Sequence, residues 1–255
     1  LCPGVNGWDQ WMNLLGDSYR NITRMCGYAR KYHAAGILNT DWGDMGHVNQ
    51  PEHSVPGMIY GAAFSWNGEE ISEEEINRQI SVLEYKDGSG CLTGLMRELP
   101  GCSCYTWHDA VMLREFMVLG EPGVEPDIRS LSESRRIDDA MVQEAGEKLQ
   151  KLRRELKKTA VCMDSTERGL IHQLDLTAEG MDTWNNVGMV LLQSAEGRAV
   201  EGGCAFALAQ RLENWFMAYK EVWRQTGKEA ELSHIAEVVF WYADLLRGRK
   251  RKDRR

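Results

Sequence analysis

Proline is missing from the second half of this 255-residue chain; all six prolines lie at or before Pro126. The lack of proline beyond that point permits long helices. Cysteine is too sparse for a zinc tetrahedron. Of seven cysteines only Cys102 and Cys104 are close, and no second pair completes a ligand set. Their odd number and irregular spacing suit reduced thiols, hence a cytoplasmic location. No apolar run reaches the roughly 18 to 20 residues that span a bilayer. No signal peptide is visible, so no membrane partner is expected. An excess of positive charge is also lacking, the net charge being -8. Basic residues crowd into RGRKRKDRR at 247–255, which reads as a solvated helix end. Nucleic acid would need them spread over a folded face, and is excluded.

What remains is 43% hydrophobic, enough to build a sizeable core. A boundary falls near 120–133, where GEPGVEPDIRSLS has linker chemistry. It divides the chain into a domain over 1–125 and a helical domain over 126–255. In the first, Leu1–Val5 and Ile37–Thr40 are short apolar runs. Met58–Trp66 is compatible with a buried strand, or with a short helix capped by Ser54. Asp17–Ala35 and Ser72–Leu83 have helical spacing, the latter opened by Ser72 and Glu75 in capping-box positions. The order strand, helix, strand, strand, helix predicts part of an α/β fold with a parallel sheet. In the second, Ile137, Met141, Ala145, Leu149, Leu152 and Leu156 form one apolar stripe. Further helices are predicted near 166–195, 200–226 and 229–247, giving an all-α bundle, and a shorter helix at 107–119 precedes them.

The chemistry concentrates in the first 70 residues. Trp8, Trp42 and Trp66 each fall at or just after the end of a candidate strand, where parallel α/β folds bind ligands. Indole faces pack on the C–H face of a pyranose, while Asp and Asn bind its hydroxyls. LNTDWGDMGH, at 38–47, supplies Asp41, Trp42, Asp44 and His47. Asp41, Asp44 and His47 also have metal-ligand chemistry, but their spacing suits a metal only on a helix. Gly43 and Gly46 favour a loop, so no metal is expected.

Three stretches are familiar: CPGVNGW at 2–8, GILNTDWGDMGH at 36–47 and YGAAFSWN at 60–67. They resemble the last strands of the catalytic barrel of glycoside hydrolase family 20. LENWFMAYKEVWRQTGKEAELSHI and FWYADLLR, further on, are similar to the helical C-terminal region of a branch of that family. The resemblance implies the C-terminal portion of a (β/α)₈ TIM barrel followed by a helical bundle. The N-terminal part of that barrel would precede Leu1. It implies removal of terminal N-acetylhexosamine from β-linked glycans, with no cofactor. The substrate's own 2-acetamido carbonyl attacks the anomeric carbon, so no enzyme nucleophile is needed. Trp8 and Trp66 match walls of the acetamido pocket; Asp41, Trp42 and Asp44 match the segment that contacts the sugar. The family's Trp-x-Glu on the last strand reads Trp66-Asn67-Gly68 here, so hydroxyl binding would fall to Asn67, and His47 completes the loop. The family's Asp-Glu pair has no counterpart, because the chain contains no Asp-Glu dipeptide. Its acetamide-binding tyrosine is also absent from LNTDWGD. The resemblance therefore assigns sugar-binding walls here and no catalytic residue.

Two other functions fit the same residues. A non-catalytic helical interaction module would use Trp184, Trp215, Trp223 and Trp241 as a partner surface. A metal-dependent hydrolase would use Asp41, Asp44 and His47.

Overall fold

The computed structural model describes residues 1–68, 71–120, 137–166 and 168–248. The expected 125/126 boundary, most of the linker and the basic tail beyond 248 lie outside them. Helix accounts for 72% of the structure, and no strand or sheet forms among the described residues. The protein is all-α, which corrects the expected α/β class and barrel portion.

Nine α-helices occur among the described residues: α1 (Leu15–Lys31), α2 (Val55–Trp66), α3 (Glu73–Leu83), α4 (Leu92–Glu98), α5 (Trp107–Leu119), α6 (Asp139–Cys162), α7 (Arg168–Ala195), α8 (Gly202–Thr226) and α9 (Ala230–Leu246). The chain divides into two compact units. One holds Leu1–Gly101 with Gln150–Asp175, the other Cys102–Leu149 with Leu176–Arg255.

In the first unit the two short apolar runs are extended but do not become strands. They meet in one parallel bridge, Gly4 with Thr40. Val5 N donates to Thr40 O at 2.9 Å, Thr40 N to Pro3 O at 2.8 Å and Leu38 N to Leu1 O at 2.9 Å. Pro3 has no N–H to donate, and two short parallel segments have too few hydrogen bonds for a sheet. The third expected strand is helix α2. Pro56 lies in its first turn, where a fixed φ favours helix. Gly57 and Gly61, one turn apart, let α2 close onto the extended pair. A Cβ at Gly57 would come within 2.7 Å of the Val5 side chain, and one at Gly61 would overlap the Asn39 amide. Tyr19 of α1 packs edge-on against Tyr60 and Phe64 of α2, with centroids 5.9 and 5.6 Å away.

Helix α3 starts as expected. The Ser72 hydroxyl accepts from Glu75 N at 3.2 Å, although the reciprocal bond of a full capping box is not seen. Helix α4 is set by Asp87, which is fully buried. Its carboxylate accepts from Ser89 N (2.9 Å), Ser89 Oγ (2.6 Å), Cys91 N (2.8 Å) and Leu92 N (3.0 Å). These bonds tie off the amides that open α4. Asp87→Ala is therefore expected to lower the stability of this unit by about 3 kcal/mol, since four donors lose a charged acceptor in a dry site. Urea unfolding followed by circular dichroism measures the loss.

The second unit is built on aromatic rings. Trp184 of α7 meets Trp107 of α5 at 5.8 Å and Tyr242 of α9 at 5.0 Å, both edge-to-face. The Tyr242 hydroxyl donates to Ala110 O at 2.8 Å and pairs with the Tyr105 hydroxyl at 2.8 Å. Asn185 holds the turn before α5. Its Oδ1 accepts from Cys104 N (2.8 Å) and Tyr105 N (3.1 Å), and its Nδ2 donates to Cys102 O (2.8 Å). Trp184, Trp215 and Trp223 are buried and Trp241 is half-buried, so these four make core rather than an aromatic partner surface. Among the described residues no helix is long and apolar enough to cross a membrane.

Candidate functional site

A cavity of about 420 Å³ opens over the Gly4–Thr40 bridge, lined among others by Asn6, Trp8, Asn21, Thr40, Trp42 and Asp44. That volume lies within the range of small-molecule sites. Gly4 permits the approach of one wall, because a Cβ there would touch the Trp8 ring at 3.1 Å. The other wall is held by a short relay. Trp42 Nε1 donates to Thr40 Oγ1 at 3.1 Å, and Thr40 Oγ1 donates to Pro3 O at 2.9 Å. Asn21, on α1, accepts from Gly4 N at 3.2 Å. Both indoles keep solvent-facing surface, Trp8 being 37% and Trp42 57% exposed.

Behind the cavity lies a buried polar chain. The His53 ring Nδ1 is 3.1 Å from Asn49 Oδ1. Asn49 Nδ2 donates to Asn13 Oδ1 at 2.6 Å, and Asn13 Nδ2 donates to Val5 O at 2.9 Å. Ser18 Oγ donates to the same carbonyl at 2.7 Å. The direction of the two amides makes Asn49 Oδ1 an acceptor, so His53 carries its proton on Nδ1. Burial, assisted by the nearby His47, pushes the His53 pKa down to about 3. The chain fixes Val5 and hence the course of Asn6 to Trp8. Backbone strain gathers at the same place. Asn6, Asp9, Met45 and His47 all have positive φ, at 49, 59, 53 and 33°. Of the four, Asn6 lines the cavity and the others lie within three residues of Trp8 or Asp44 in sequence; such strain costs stability and often marks a functional site.

The structure brings together some of the sequence candidates. Trp8, Trp42 and Asp44 line the cavity. Asp41 sits beside it, its Oδ1 3.1 Å from where a Gly7 Cβ would lie, next to the amides of Asn13 and Asn49. His47 turns its ring onto Gly43. Trp66 is not among the lining residues. It ends α2, 89% exposed. Asn67 follows it, its carbonyl accepting from Arg30 Nη1 at 3.3 Å. Both sequence positions were tied to a strand end, and a helix sends them elsewhere. Among the described residues no three His, Cys, Asp or Glu gather into a possible metal site.

Asn6, Asn21 and Thr40 escaped the sequence reading, as did the Asn13–Asn49–His53 chain. One signal was available: Ser18 interrupts the buried stripe Leu15, Ile22 and Cys26 of α1. A hydroxyl on a buried face needs a polar partner. No family model, curated protein or solved structure matches this chain.

Proposed function

We propose that the first unit binds the terminal N-acetylhexosamine of a β-linked glycan, and that the chain is part of a glycoside hydrolase related to family 20. The observation that carries this reading is the placing of Trp8 and Trp42 around a cavity whose other lining groups include a carboxylate, two amides, a hydroxyl and the Cys2 thiol. Indole faces offer the apolar wall that a pyranose C–H face needs, and Asp44, Asn6 and Asn21 offer partners for hydroxyls and an acetamide.

The division of chemical labour follows from what lines the cavity. Substrate-assisted cleavage needs one carboxyl to protonate the leaving oxygen and one to orient the acetamide. Asp44 is the one carboxylate among the lining residues. These residues bind and orient the sugar, and the acid that completes hydrolysis comes from outside this cavity. Lack of general acid catalysis alone costs roughly 10²- to 10⁴-fold in rate.

Calorimetric titration with N-acetylglucosamine, with glucose as the control, tests the reading. The expected result is binding that depends on the acetamide and weakens about tenfold in Trp42→Ala, the usual loss for an aromatic anchor. Absence of binding at millimolar sugar, or binding unchanged in Trp42→Ala, removes the proposal.

A further inference from the structure

We infer that Asn21 selects an acetamido sugar over its unacetylated counterpart by donating Nδ2–H to the acetamide carbonyl; the inference rests on the sugar-binding reading of the cavity. Helix α1 is tied to the first extended segment at two successive points. Ser18 Oγ donates to Val5 O at 2.7 Å. Asn21, three residues on and so on the same side of the helix, meets Gly4. A backbone N–H only donates, and the Asn21 atom that Gly4 N reaches, at 3.2 Å, is Oδ1. The carbonyl end of this amide is thereby spent on the backbone. Asn21 also lines the cavity, so what it offers a ligand is Nδ2 with its two hydrogens. A donor carried by a helix is held more precisely than one on a loop.

The other lining groups lack that fixed polarity. Trp42 Nε1 is spent on Thr40 Oγ1 at 3.1 Å, and that hydroxyl donates to Pro3 O at 2.9 Å. The Asp44 carboxylate only accepts, and the Cys2 thiol is a weak donor. Asn6 sits in a left-handed turn, with φ at 49°. No hydrogen bond among the described residues fixes which end of its amide faces a ligand.

An acetamide has a carbonyl oxygen and a methyl group to accommodate, and both find a partner around Gly4. The six-membered ring of Trp8 lies against this glycine: a Cβ there would be 3.1 Å from Cζ3 and 3.6 Å from Cη2. An N–H donor and an apolar ring thus border the same residue. A carbonyl that accepts from Asn21 can lay its methyl on Trp8. A hydroxyl in place of the acetamide leaves the apolar side unfilled, and a 2-ammonium group sets donors against a donor.

Calorimetric titration of the full chain with N-acetylglucosamine and with glucosamine tests this in the wild type, Asn21→Asp and Asn21→Ala. Asp keeps an acceptor for Gly4 N but has no N–H to give. Its charge attracts the ammonium that glucosamine carries at neutral pH. The wild type is expected to prefer N-acetylglucosamine. Asn21→Asp shifts the ratio of the two affinities at least about tenfold toward glucosamine. Asn21→Ala weakens N-acetylglucosamine binding about tenfold and glucosamine binding less. Circular dichroism verifies that each variant keeps its helices. A purely structural Asn21 would weaken both sugars alike. An unchanged ratio in Asn21→Asp, or loss of all binding in both variants with helices intact, therefore overturns the role of Asn21 while the sugar-binding reading stands. A wild type that binds neither sugar, or shows no preference for the acetamide, removes that reading and this inference with it.

Discussion

Acidification from pH 7 to pH 4 is expected to destabilise the first unit by about 3 kcal/mol through His53 alone. An unfolded histidine titrates near 6.5, whereas burial, then the nearby His47, hold His53 down to about 3 in the folded state. Below pH 6.5 the unfolded chain takes up a proton that the folded chain refuses, so stability rises with pH across this window. The contribution is fully present above pH 6.5 and is lost progressively as pH falls toward 3. The physical reason is visible in the chain of hydrogen bonds. His53 Nδ1 already donates to Asn49, so protonation adds an N–H at Nε2, which has no hydrogen-bond partner among the described residues. His53→Gln keeps a donor for Asn49 and cannot titrate. Hydrogen exchange of α1 and α2 amides at pH 7 and pH 4 should show the wild type losing about 3 kcal/mol more than the variant. Equal losses would mean that His53 takes up its proton as readily in the folded protein as in the unfolded chain.

Trp184→Ala is expected to cost the helical unit about 3 to 5 kcal/mol, the usual penalty for emptying a tryptophan site in a core. Trp184 is fully buried, and its ring is the meeting point of α5, α7 and α9. Removing it leaves Trp107 and Tyr242 facing a void, and loosens the Tyr242 hydroxyl that ties α9 to Ala110 and Tyr105. Trp241 is the internal control. It packs on the same Tyr242 at 4.9 Å but is only half-buried, so Trp241→Ala costs less. Thermal melts read at 222 nm should rank the wild type first, Trp241→Ala second and Trp184→Ala last.

The helices of the second half were legible because their signals are long and local. Ile137 to Leu156 repeats an apolar stripe over five turns with no proline, and α6 runs from Asp139 to Cys162. Gly227 has the chemistry of a helix stop, and α8 ends at Thr226 just before it. The short apolar runs were not legible, because a run of four to nine residues fits a strand or a helix equally well. Met58–Trp66 became helix through Pro56 at its start and glycines one turn apart, which suit close packing on the extended pair. Helix α4 was missed for a different reason. Its origin is the carboxylate of Asp87, a tertiary contact rather than a period.

The same distinction divides the site. Trp8, Trp42 and Asp44 belong to motifs that survive the loss of the expected barrel, because the loop carrying them still returns to the Gly4–Thr40 bridge. Trp66 and Asn67 depended on a strand ending at the cleft. At the C-terminal end of helix α2 they are not among the residues that line the cavity. Asn21 joins the cavity only because α1 folds back over the first residues, which no local pattern records.

The most direct test of the sugar-binding account is the indole N–H spectrum of protein labelled with ¹⁵N at tryptophan. Titration with N-acetylglucosamine should shift the Trp8 and Trp42 resonances. The signals of buried Trp107, Trp184 and Trp215, and that of exposed Trp66, should stay in place. Shifts confined to Trp66, or no shift at Trp8 and Trp42 under saturating sugar, would contradict the account.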